Sequence, residues 1–327
     1  MTHVRANMEY FKSEGNQNII NYMDDAYEKF GRLLREQGYS KEAETLEIEV
    51  LDKRNKNLGV EHPDTIVAMA SLASTKADLG KYKEAERLHI QVLDARNRIF
   101  GVEHPDTILA MADITFTYSY LGKYTEAEKL RIQVLDARQR MLGLEHPDTI
   151  RAMSNLASTY RGWGKYMRAE KLDIQVLDAR KRILGLQHPH TILAMGNLAG
   201  TYHNLGKYKE AEKLEIQVLD ARHGILGVEH PDTIFAMSNL ASTFKNLGKY
   251  KEAEKLDIQV LDARNRVLGV HHPHTILAME NLAATLQNLG KYKEAEKLVI
   301  QAQEVKSRVL ETASQYAIAT MPMSNKL

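Results

Sequence analysis

A 42-residue period runs from Pro63 to Gly290 without one insertion or deletion. His62, His104, His146, His188, His230 and His272 stand 42 apart, each followed by proline, and Gly80, Gly122, Gly164, Gly206, Gly248 and Gly290 keep the same step. A fixed period of this length means stacked supersecondary units, each touching its neighbours. Such a chain builds an extended surface rather than one core around one cleft. That points to binding before catalysis.

The unit from Asp232 to Pro273 reads as two helices. Ile234, Met237, Leu240, Ala241 and Phe244 recur at steps of three and four, which makes one apolar stripe. Pro231 suits a first helical turn, His230 before it is biased out of the helical region, and Asp232 meets the positive end of the helix dipole. Gly248 supplies the turn. The second helix carries Ala253, Leu256, Val260, Ala263 and Val267 on one stripe, with Ile258 and Leu261 as a second apolar side. A helix apolar on two sides is expected to touch two neighbours. Asp262 and Arg266, and likewise Asp94–Arg98, Asp136–Arg140 and Asp178–Arg182, stand four apart in the order that favours an ion pair. Gly269 closes the helix. Strand signals are absent.

The organisation follows. A polar segment spans 1–17, an array spans 18–312 and a tail spans 313–327. The array divides into units near 22–63, 64–105, 106–147, 148–189, 190–231, 232–273 and 274–312. The first unit is degenerate: Ile20, Met23, Tyr27, Phe30 and Leu34 form its stripe, Gly38 its turn, and Lys41-Glu42-Ala43-Glu44 enters its second helix. It is read as an end cap. Residues Glu311 to Leu327 are expected to be a frayed helix and a loose tail.

Lys+Arg 44 against Asp+Glu 43 leaves a net charge of +1, so no global field draws the chain to nucleic acid or to an anionic membrane. There is no Cys, hence no disulfide frame and no thiolate chemistry. Met1 to Gln17 has no apolar core of a secretory signal, and no apolar run reaches the ~20 residues of a membrane span. The expectation is a cytoplasmic protein. Asn325-Lys326-Leu327 lacks the first residue of the peroxisomal Ser-Lys-Leu address.

Leu240-Ala241, Phe244, Gly248, Tyr250 and Ala253, followed by Leu-Gly-x-x-His-Pro at 268–273, resemble the tetratricopeptide repeat in the long form found in kinesin light chains. The resemblance covers nearly the whole chain and implies an all-α fold, a right-handed superhelix (α-solenoid) of about seven helix-turn-helix repeats. At one position in the second helix, where that repeat usually places an apolar residue, this chain has His89, Arg131, Asp173, Glu215 and Asp257, each followed by Ile. That variant is similar to the arrays attached to nucleotide-switched NB-ARC receptors. No heptad run and no phosphate-binding Gly-x-x-x-x-Gly-Lys loop accompanies it, so the chain reads as the array alone.

In such arrays the first helices line a concave groove, and the resemblance places ligand contacts on them. One inward row is Ser71, Asp113, Asn155, Asn197, Asn239 and Asn281. A second, seven residues or about two turns on, is Asp78, Tyr120, Gly162, Asn204, Asn246 and Asn288. Each Asn amide offers both a donor and an acceptor to an extended peptide, or else bonds the neighbouring repeat; both readings are open. Small residues sit between them at Ser158, Gly200, Ser242 and Ala284, and Arg161, His203, Lys245 and Gln287 would favour acidic ligand groups. Phe116, Tyr120, Trp163 and Phe235 depart from the repeat and so mark either the partner surface or, for Trp163, the joint between units. The Met column (Met69, Met111, Met153, Met195, Met237, Met279) lies on the apolar stripe and is read as core.

Catalysis finds no support. One His per unit, a whole repeat apart, cannot share an ion, and the His271, His272 and His274 cluster reads as linker. Glu252 and Glu254 stand two apart on a helix, where side chains do not face each other, and read as a solvated face. No nucleophile elbow or zinc helix motif occurs. The expected function is a non-catalytic scaffold without cofactor or metal, binding a peptide or protein in the groove as a kinesin light chain-like cargo or adaptor module. The alternative is a ligand-sensing array in an NB-ARC-type receptor pathway. Kinesin heavy chain and an NB-ARC protein are the corresponding partners.

Overall fold

The computed structural model describes residues 28–319, the side chains of 310 and 312–319 excepted. All regular structure there is helical and falls into hairpins. The first helices are α1 (28–36), α3 (Pro63–Asp78), α5 (Pro105–Tyr120), α7 (Pro147–Gly162), α9 (Pro189–Asn204), α11 (Pro231–Asn246) and α13 (Pro273–Asn288). The second helices are α2 (Ser40–Leu58), α4 (Tyr82–Phe100), α6 (Tyr124–Leu142), α8 (Tyr166–Leu184), α10 (Tyr208–Leu226), α12 (Tyr250–Leu268) and α14 (Tyr292–Ala319). Contacts divide the chain into two compact units, Met1–Lys165 and Tyr166–Leu327.

Helix boundaries come from local chemistry. Each histidine of the 42-residue column is an N-cap in extended conformation: in α11, Nδ1 of His230 accepts the Asp232 N–H at 3.1 Å, and Pro231 occupies the first turn, where no N–H is needed. At the other end Gly248 adopts φ +72°, which lets the Lys249 N–H reach the Phe244 carbonyl at 2.8 Å and the Gly248 N–H that of Lys245, a Schellman closure.

In the first unit the core joins α2, α3 and α4 through Leu46, Val50, Ile66, Met69, Leu72 and Val92, with Phe30 and Leu34 of α1 packed on it. Ile20, Met23 and Tyr27 of the expected first stripe, the segment 1–17 and the tail 320–327 lie outside the described residues. In the second unit Ile234, Met237, Val260, Ala263 and Ala278 join α11, α12 and α13, and Leu282, Leu286 and Ala295 join α13 to α14. The Met column is buried throughout, as core packing requires. Helix α14 runs on to Ala319, past Arg308 where the repeat pattern stops.

Two expectations need correction. The second apolar side of the second helices is buried only in part: Leu261 packs on the core, but Ile258 is 43% exposed while Asp257 beside it is buried at 3% exposure, and Val267 at the end of the first stripe also faces outward. The same inversion holds at Ile48, Ile90, Ile174 and Ile216, while Arg131 before the exposed Ile132 is half-buried. Nor do Arg98, Arg140 and Arg266 pair one turn back. They reach Glu61, Glu103 and Glu229 in the preceding linker, each at 2.8 Å, because the hairpin stacking brings that linker alongside the end of the helix.

Two further ladders hold successive hairpins. A turn lysine binds a glutamate 37 residues back: Lys81–Glu44, Lys123–Glu86 and Lys165–Glu128 in the first unit, Lys207–Glu170, Lys249–Glu212 and Lys291–Glu254 in the second, at 2.5–3.5 Å. Glu254 is therefore a stacking residue rather than part of a merely solvated face. A second-helix arginine donates to a carbonyl ten residues on, in the first turn of the next helix: Arg54 to Asp64, Arg96 to Asp106, Arg138 to Asp148, Arg180 to His190, Arg222 to Asp232 and Arg264 to His274, at 2.8–3.1 Å. An Arg fork suits this role, since its charge persists under burial.

Candidate interaction face

The first-helix rows occupy half-buried or exposed positions. Asn155 and Asn239 are exposed, and Asn197 and Asn281 half-buried. Asn204, Asn246 and Asn288 are exposed, but their amide groups are partly engaged: each Nδ2 donates to the carbonyl four residues back, at Gly200, Ser242 and Ala284, over 2.7–3.0 Å. Asn246 does more, since its Nδ2 lies 3.1 Å from Nε2 of His203 and ties α11 to α9. At that one position the amide bonds the neighbouring repeat.

His203 and Lys245 are less available to acidic ligands than their types suggest. Burial lowers the His203 pKa, which disfavours its charged form, and its Nε2 lies 3.1 Å from the Asn246 amide. Lys245 Nζ lies 3.6 Å from the buried Asp257 carboxylate. Arg161 is half-buried. In the first unit Phe116 and Tyr120 are exposed and packed together, ring centroids 4.7 Å apart, with Tyr82 stacked on Tyr120. Trp163 stacks on Tyr124 of the preceding hairpin with Lys165 Nζ over its face, so it covers the joint.

The structure brings Asn197 and Asn239 together. They line one cavity of about 110 Å³ between α9 and α11, with Leu193, Gly196, Phe235 and Ala236 from the same helices and Glu215, Val218 and Arg222 from α10 below. A neighbouring cavity of about 240 Å³ shares Leu193 and Arg222 and is walled by Ile192, Ile225 and Leu226. Phe235, expected on the partner surface, is exposed and belongs to a column one turn before the first row, whose other exposed members Leu109, Leu193 and Leu277 the sequence did not single out. The signal was present in their position, i+4 to the asparagine row.

The charged column of the second helices was also legible as a departure, but not as buried. Glu47, His89, Asp173, Glu215 and Asp257 are all buried, and the four acids lie against the threonine column of the next first helix. Thr201 Oγ1 donates to Asp173 at 2.7 Å and Thr285 Oγ1 to Asp257 at 2.6 Å. Burial drives the His89 pKa down to about 4 and pushes the Glu47 and Glu215 carboxyls up, the latter to about 7. Arg131 donates to the Asn155 carbonyl, and burial lowers its pKa to about 10.

Among the described residues no group of three or more His, Asp or Glu side chains is placed to hold a metal ion, and no helix is long and apolar enough to cross a membrane. At the His271, His272 and His274 cluster, Nδ1 of His272 is occupied by the His274 N–H.

A family model for the tetratricopeptide repeat matches residues 22–96, 67–128, 116–172 and 232–308, and a second one of the same description matches 191–232. No curated protein matches. Among solved structures, the nearly identical TPR-like repeats of a Podosopora anserina protein described as a kinesin light chain superpose with a TM-score of 0.59 at 27% identity, over 64% of this chain and 98% of that one. A signal transduction ATPase with numerous domains from Pyrococcus horikoshii, which carries a tetratricopeptide repeat sensor, gives 0.69 at 15% identity over 91% of this chain, which spans 44% of that protein. The quorum sensor NprR from B. thuringiensis gives 0.57 at 15% identity over 93% and 92%. The last two share the fold.

Proposed function

Because this chain belongs to the tetratricopeptide-repeat family, we propose that it is a non-catalytic, cytoplasmic scaffold holding an extended peptide segment of a partner protein along its first-helix face. The observation that carries this reading is the pairing of Asn197 and Asn239 at one cavity, flanked by the exposed Leu193 and Phe235. Amides beside unburied apolar side chains are what a peptide backbone and its side chains need together. Asn155, Asn281, Asn204, Asn246 and Asn288 extend the same recognition within their own units, and Phe116 with Tyr120 offers an aromatic anchor in the first. Likeness to the kinesin light chain repeats supports a cargo or adaptor role, with kinesin heavy chain as a partner to test.

A second reading, a ligand-sensing array in an NB-ARC-type receptor pathway, is favoured by the buried acids Asp173, Glu215 and Asp257, which depart from the kinesin light chain pattern. Affinity purification from the native cell separates the two: kinesin heavy chain supports the adaptor, an NB-ARC protein the sensor. Either way, replacing Asn197 and Asn239 by Ala is expected to weaken binding of the recovered partner and leave helicity unchanged. Intact affinity with a lower melting temperature would make those residues structural.

A further inference from the structure

Glu215 sets the cavity of α9, α10 and α11 apart from its equivalents. Its side chain lines that cavity, is only 7% exposed, and its Oε2 has no hydrogen-bond partner. The acids at the same repeat position are held: Asp173 by Thr201, Asp257 by Thr285 and Lys245. Glu47, the equivalent in the first hairpin, has both oxygens unpartnered but lies within the field of Arg35. Thr243, the counterpart of Thr201 and Thr285, offsets the burial of Glu215 only in part, and no cation does so. Arg222, two turns further along α10 and lining the same cavity, is turned to the Asp232 carbonyl at 2.9 Å.

The opening above Glu215 is specific to this unit. Position 196 is Gly, where the other hairpins have Ala70, Ala112, Ser154, Ser238 and Glu280, and a Cβ built there meets nothing within 4 Å. The missing side chain leaves room next to the carboxylate.

We propose that this cavity binds a primary ammonium, the side chain of a lysine in the partner segment. An isolated buried carboxylate is costly, and an arriving cation removes that cost. The three N–H donors of an ammonium match Glu215 Oε2 and the side-chain oxygens of Asn197 and Asn239. Leu193 and Phe235, the latter 57% exposed, offer apolar walls to the methylene stem, and the Phe235 ring offers a face to the charge. A volume of about 110 Å³ suits a compact ammonium better than a planar guanidinium that needs five acceptors in a plane. Burial holds the free carboxyl near pH 7, so it ionises readily once a cation arrives.

This inference rests on the first-helix face being the binding face, and the test separates the two. n-Butylammonium and n-butanol are titrated into the full chain, with amide NMR shifts as readout. The ammonium should shift residues 196, 197, 215 and 239 with an affinity about ten-fold or more above that of the alcohol. Glu215→Gln, which keeps the shape, and Gly196→Leu, which fills the space, should each abolish that preference. Equal affinity for both probes, or a preference that survives Glu215→Gln, would overturn the lysine assignment. Peptides selected on the full chain by display then probe the underlying reading. Binding lost in Asn197→Ala/Asn239→Ala but unchanged in Glu215→Gln keeps the face and removes the lysine site. Binding indifferent to all these variants removes both.

Discussion

The Thr285 hydroxyl donates to Oδ2 of Asp257 across 2.6 Å, and both side chains are buried between α12 and α13. The last hairpin, on which no further first helix packs among the described residues, has Val299 at the position of Asp257. Removing only the threonine hydroxyl leaves an acceptor short of a partner. Thr285→Val is expected to cost about 1–3 kcal/mol. Asp257→Val combined with Thr285→Val should recover most of that loss, because replacing both partners of a buried polar pair is tolerated. Urea unfolding of the three proteins measures the difference, and a double variant weaker than the single one contradicts the account.

Two buried groups give opposite pH dependences. The Glu215 carboxyl moves from 4.5 to about 7, so its contribution is full below 4.5 and is lost as the pH rises toward 7. His89 moves from 6.5 to about 4, so its contribution is present above 6.5 and is lost as the pH falls toward 4. Glu215→Gln should therefore gain stability relative to the parent as the pH rises from 5 to 7. His89→Leu should gain relative to the parent as it falls from 6.5 to 4. Melting curves across that range test both signs, and a flat difference in either case refutes that burial.

The histidine caps predict a ranking. His230→Ala removes the acceptor for the Asp232 N–H and should destabilise by about 0.5–2 kcal/mol, while His230→Asp keeps an acceptor there and should cost less. Denaturant midpoints order the three proteins. Equal losses for both variants would place the value of His230 elsewhere.

The linker pair does not run through every hairpin. Where Glu61–Arg98, Glu103–Arg140 and Glu229–Arg266 occur, the fifth unit has Gln187 and Gly224, and both charges are missing together. Gln187→Glu with Gly224→Arg should raise stability by about 0.5–2 kcal/mol, of which ~1 comes from removing a helical glycine and at most ~1 from the exposed pair. A double-mutant cycle separates the terms. A coupling of zero would show that this pair is decorative in the other units too.

The hairpins were legible because their punctuation is chemical: His-Pro at one end and Gly at the other repeat at a fixed step and act within one turn of chain. The burial of α12 was not. Hydropathy favours Ile258 over Asp257 for the interior, yet hairpin packing turns Asp257 inward, where Thr285 satisfies it. A residue 28 positions away decides that, and no local pattern reports it. Likewise Arg266 stands one turn from Asp262 but finds Glu229, 37 residues back, at 2.8 Å. The asparagine rows were visible as a repeat departure, whereas the cavity they share needed Gly196 and Glu215 from two helices to be seen in space.

The face used for binding is tested most directly by placing a photo-crosslinking residue, p-benzoylphenylalanine, at Asn239 or at Ile258. Asn239 is exposed on α11, and Ile258 is exposed on α12. Irradiation in the native cell should give a partner adduct from position 239 and none from 258. An adduct from 258 with none from 239 would place the partner on the second helices and contradict the account.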